Sequence, residues 1–145
     1  MKKRAVSALF LALLLLLSSC GREVTPPAVL LAEFLGEGEP PPAGTVYSTD
    51  GEGGTTLSDS LIASLYARAD GFCEYGSCVE SAAVYLSERM DRRFEAGVFL
   101  CYGSADTKAV AEMCHRRAAF LSRFCEVVTE VECRGRAVYY KISEK

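Results

Sequence analysis

Seven cysteines and one histidine in 145 residues are the side chains best suited to chemistry in this chain. Cys20 stands near the N-terminus, and the other six are Cys73, Cys78, Cys101, Cys114, Cys125 and Cys133. An even set of six fits disulfides if the domain is exported, buried free thiols or a redox thiol. Cys73 and Cys78 fall in a glycine-containing loop and could close a small ring. Cys114 and Cys125 would share one helical face yet lie roughly 16 Å apart along the axis, too far to bond each other. Cys101 in a strand and Cys133 at a strand end could each reach a helix cysteine across the core. There is no Cys-x-x-Cys and no histidine pair at ligand spacing, so no metal site is predicted and thioredoxin-type chemistry lacks its usual marks. His115 would follow Cys114 on a helix and point about 100° away from it, which makes it a helix-shoulder residue rather than a catalytic base.

The other polar groupings read as solvated surface. Asp91-Arg92-Arg93 suits a hairpin tip. Gly51-Glu52-Gly53-Gly54 lacks the lysine and the strand-to-helix context of a phosphate loop. Glu130 and Glu132 share the polar face of a strand. These residues imply no catalytic set and no cofactor, so the expectation is a protein that is not an enzyme.

Cys20 belongs to a different pattern. Lys2-Lys3-Arg4 precedes an apolar run from Ala5 to Leu17, a basic start and short core typical of a secretory leader. The run is shorter than the about 20 residues a membrane-spanning helix needs. Leu17-Ser18-Ser19-Cys20 resembles the bacterial lipobox, in which the cysteine thiol takes a diacylglyceryl group and the leader is then cut. The resemblance implies a signal peptide over residues 1–19, a lipidated N-terminus and tether over 20–27, and a single domain over 28–145. Losing the three basic residues of the leader would leave 13 Lys/Arg against 19 Asp/Glu, formally −6. Such a domain has no electrostatic footprint for nucleic acid and no basic patch to help hold a membrane. Anchoring would fall to the acyl chains.

Several elements must position the remaining residues. All five prolines and seven of the twelve glycines lie between Gly21 and Gly54, around an apolar Ala28–Leu35 segment that reads as a short docked helix. Thr45–Ser48 suits a short edge strand. Ser58 can cap a helix running to about Arg68, and Phe72–Cys78 reads as a loop. Ala82–Ser87 fits helix or strand and is assigned as strand, since Glu95–Tyr102 is a strand and Glu88–Arg93 a charged hairpin connection. Ser104 or Asp106 caps a long helix to about Phe124, with Val110, Met113, Cys114, Arg117, Leu121, Phe124 and Cys125 on its inward stripe. Val127, Thr129 and Val131 alternate inward on a strand that turns at Arg134-Gly135, or equally through a slightly longer loop with Gly135 at positive φ, and returns with Val138, Tyr140 and Ile142. The expected fold is α+β: an antiparallel sheet of about four strands with two to three helices on one face, best defined over 56–145.

This organisation resembles a family of bacterial lipoproteins called domain of unknown function 4358. The likeness lies in the lipobox at Cys20, LLAEFL, SAAVYLS before FEAGVFLCYGSADTKAVAEMCHRR, and the closing RGRAVYYKIS, with Arg117 among its carriers. The Cys73–Cys78 insertion departs from the family. The resemblance implies an α+β domain on the outer face of the cell membrane and transfers no activity. The functional expectation is a non-catalytic binding domain for an envelope protein or cell-wall component. Its rivals are a thiol/disulfide-active envelope protein and a structural assembly factor of a membrane complex.

Overall fold

The computed structural model describes residues 24–51 and 54–145. The lipobox residues Leu17, Ser18, Ser19 and Cys20 lie outside the described residues. The elements run α1 (Pro27–Gly36), β1 (Gly44–Ser48), β2 (Thr55–Thr56), α2 (Asp59–Tyr66), α3 (Tyr75–Cys78), β3 (Val79–Ser87), β4 (Phe94–Cys101), α4 (Thr107–Leu121), β5 (Val127–Arg134) and β6 (Ala137–Glu144). The fold class is α+β. The strands form one sheet in the order β2-β1-β3-β4-β6-β5, antiparallel except for the parallel β1–β2 pair.

Two expectations about layering are corrected. The sheet has six strands rather than about four, because Thr45–Ser48 pairs with β3 and in turn carries the two-residue β2 outside it. The helices cover both faces rather than one. In β4, Gly97, Phe99 and Cys101 face α2 and α4, while Ala96, Val98 and Leu100 face α1 through Leu31 and Phe34. Side chains alternate across a strand, so a strand buried on both faces must be apolar at nearly every position. Six of the eight residues of FEAGVFLC are apolar in that sense, and all but Phe94 are buried.

Local chemistry accounts for the element ends. Pro27 occupies the first turn of α1, where a missing N–H costs nothing. The Ser58 hydroxyl accepts from the Leu61 N–H at the start of α2. The Asp106 carboxylate accepts from the Gly103 N–H before α4. The β5–β6 turn sits one residue later than expected: Arg134 pairs with Ala137, so Gly135-Arg136 is the loop. Gly135 has φ +61°, and glycine at the first loop position is what a type II′ hairpin requires. The Phe72–Cys78 segment is not wholly loop, since its last four residues form α3. Helix α4 stops at Leu121, three residues short of the expected end, and this leaves Phe124 exposed instead of on the inward stripe. Both cores are built from residues 31–142, so a chain starting at Val24 carries them complete.

Candidate functional site

A buried hydrogen-bonded cluster lies where α4 crosses the sheet. Glu95 is the second residue of β4 and points to the same face as Phe99, under α4. Arg117 sits one turn before the C-terminal end of α4 and reaches down to it. Its Nε lies 3.1 and 3.0 Å from the two carboxylate oxygens, and its Nη2 donates to Oε2 at 2.8 Å. The paired side chains are only 12% and 7% exposed. Tyr140 of β6 donates to Glu95 Oε1 at 2.8 Å. Its single proton is thereby used, so Tyr66 at the end of α2 must donate to the Tyr140 hydroxyl oxygen, 2.5 Å away. The relay therefore runs Tyr66 to Tyr140 to Glu95, closed by Arg117.

Each member is perturbed in a direction the geometry explains. Burial, then the negative charge of Glu95, pushes both tyrosines well above the ordinary phenol value. Burial alone would lower Arg117, but its bonds to Glu95 more than offset this and hold it above its usual value. Among the described residues no buried side-chain nitrogen or oxygen lacks a partner. The network is saturated, and this stitches α2, α4, β4 and β6 together.

The ion pair forms part of the wall of a cleft of about 280 Å³ at the end of the sheet where β4 begins. Leu65, Leu86, Leu121, Val127 and Ile142 make its apolar sides. Ser87, Arg89, Met90, Arg93 and Phe94 bring it to the β3–β4 connection. Met90 is 87% exposed at this rim. Arg89 is engaged by Asp91 at 2.6 Å and Arg92, outside the cleft, by Glu39 at 3.2 Å. The Arg93 guanidinium makes no ion pair among the described residues and lies 5.8 Å from the Phe124 ring centroid. A neighbouring depression of about 260 Å³ shares Leu65 and Arg117, but its Arg68 and Arg116 both turn to Glu74. A third, of about 220 Å³, shares Arg93 and Phe94 with the cleft, and its other cations are paired, Arg92 with Glu39 and Lys141 with Glu130.

The six domain cysteines are free thiols and do not form one centre. Cys101 and Cys114 are buried, and burial raises both thiols, Cys101 to about 11. Cys73 is half-buried, its thiol also raised chiefly by burial, and Cys78 closes α3 half-buried. Cys125 lies beyond the end of α4 and is half-buried, which corrects the expectation that it shares the inward helix face with Cys114. Cys133 is exposed on β5, opposite Val138. His115 is exposed on α4. Among the described residues no three His, Cys, Asp or Glu side chains gather as a metal site would require.

Glu95 belongs to no motif in the sequence, and Arg117 reads there only as a residue of the inward helix stripe. The signal was there: an arginine at a core-facing helical position needs a buried acid, and Glu95 is the one acidic residue on the inward face of the most apolar strand. No protein-family model, curated protein or solved structure matches the chain.

Proposed function

We propose that this chain is a lipid-anchored extracytoplasmic protein whose domain binds a ligand in the cleft beside Glu95 and Arg117, without catalysing a reaction. The observation that carries the binding reading is the cleft itself. Apolar sides converge on a few fixed polar groups, the usual composition of a ligand site. The carboxylate in its wall is already engaged by Arg117 and Tyr140, which suits a rigid wall better than a proton-transferring group. The anchoring reading rests on Lys2-Lys3-Arg4, the apolar run and Leu17-Ser18-Ser19-Cys20, and with them on the likeness to the domain of unknown function 4358 lipoproteins. An envelope protein or a cell-wall component remains the class of partner.

Two experiments test the two halves separately. Cells supplied with labelled fatty acid should label the wild-type chain, and Cys20→Ala should leave an unlabelled, uncut precursor. An acylated Cys20→Ala protein cut at the same place removes the anchoring reading. For binding, a chemically mixed fragment set is titrated into ¹⁵N-labelled residues 24–145 and followed by amide shifts. Shifts clustered around Leu86, Leu121 and Val127 are expected. A set that shifts none of these residues removes the binding reading.

A further inference from the structure

We propose that the cleft takes a small aliphatic anion, its apolar chain between Leu65, Leu121 and Ile142 and its head group on Arg93. The inference rests on the binding reading above and specifies the ligand class.

The rim decides the charge. A guanidinium offers donors in a fork that matches a carboxylate or phosphate. Among the described residues three arginines line the cleft, and two have carboxylate partners: Arg117 with Glu95, Arg89 with Asp91. Arg93 has only the Phe124 ring face and remains available as an anion donor. Glu144 accepts from the Arg93 backbone N–H at 3.2 Å and makes no ion pair with the guanidinium. The aromatic contact leaves the guanidinium donors, which lie in its plane, open to a second partner.

The walls decide the body. Leu65 comes from α2, Leu121 from α4, Val127 from β5 and Ile142 from β6, so four elements supply aliphatic carbon. Among the described residues no aromatic ring other than Phe94 at the rim lines the site, which suits a chain better than a flat ring. A cleft of about 280 Å³ is at the small end for ligand sites, so the body is short. Glu95 and Arg117 satisfy each other in the wall, so the donor left for a head group is Arg93 at the rim.

The test uses octanoate, octyl phosphate, octanol and octylamine against residues 24–145, followed by titration calorimetry and amide shifts. Octanoate is expected to saturate with shifts at Leu121, Val127 and Ile142. Octyl phosphate binding as well, or instead, would identify the head group as phosphate within the same class. Octanol and octylamine should bind at least tenfold more weakly. Arg93→Gln should weaken octanoate about tenfold, and Leu65→Asp should abolish binding, each with the unfolding midpoint measured alongside. The proposal is overturned if octylamine or octanol binds as well as octanoate, or if Arg93→Gln leaves octanoate affinity unchanged. Failure of every octyl compound, while other fragments still shift the cleft residues, overturns the ligand class and leaves the binding reading standing.

Discussion

Replacing Arg117 by methionine isolates the contribution of charge to this fold. Methionine keeps much of the apolar stem of arginine and removes the guanidinium, so Glu95 would stay 7% exposed with only Tyr140 as partner. Removing one partner of a buried pair typically costs about 3–5 kcal/mol, because the remaining charge is left desolvated. For a domain of this size about 4 °C of midpoint corresponds to each kcal/mol, so a drop of roughly 12–20 °C is expected. The assay is thermal and urea unfolding of residues 24–145 at pH 7, with Arg89→Met as reference, since the Arg89–Asp91 pair is solvent-exposed and its loss should be barely measurable. Glu95→Gln/Arg117→Met removes both charges, leaves Tyr140 an acceptor, and should recover at least half of the loss. An Arg117→Met effect no larger than that of Arg89→Met would refute the reasoning, as would a double variant less stable than the single one.

Other expectations follow from burial and close approach. Under native alkylation Cys133 should label first and Cys101 and Cys114 only after denaturation, read by mass mapping; fast native labelling of Cys114 contradicts its burial. Gly97→Ala would set a Cβ 2.5 Å from the Tyr140 ring and 3.2 Å from the Ala83 carbonyl oxygen, so a loss of about 1–3 kcal/mol in urea unfolding is expected. The Cys101 thiol is raised from 9.0 to about 11, so its contribution is whole below the unfolded thiol's value and is lost as the pH rises through the folded one. The unfolding midpoint should therefore fall across that interval, less steeply in Cys101→Ala than in the wild type.

Much of the sheet was readable because its periodicity is strong. The β3–β4 and β5–β6 hairpins, the Ser58 cap and the inward set Val127, Thr129, Val131 follow from alternation and capping alone. The second covered face was missed because Ala28–Leu35 could be assigned to helix but not to a side, although the unbroken apolar run of β4 already required cover above and below. Phe124 and Cys125 were carried onto the helix by spacing, yet the chain leaves the helix at Leu121 and spacing loses its meaning there. The site was hidden for another reason. Glu95 and Arg117 are 22 residues apart, and only the pairing of β4 beneath α4 turns two isolated charges into one buried bond.

The placement of α1 has a consequence for the order of folding. Its landing surface is made by β3, β4 and β6, all later in the chain, whereas β3–β4 and β5–β6 are local hairpins with short connections. Local contacts close quickly and distant ones wait on loop entropy, so α1 is the layer expected to dock last. Its release would bare Ala83, Val98 and Tyr139 on an otherwise finished sheet. A chain arrested before β6 emerges would hold an apolar helix with an incomplete seat, the kind of species that aggregates or attracts a chaperone. Native-state hydrogen exchange should then find the α1 amides opening at a lower free energy than those of β3 and β4, and equal protection across all three would mean the layers form and separate together.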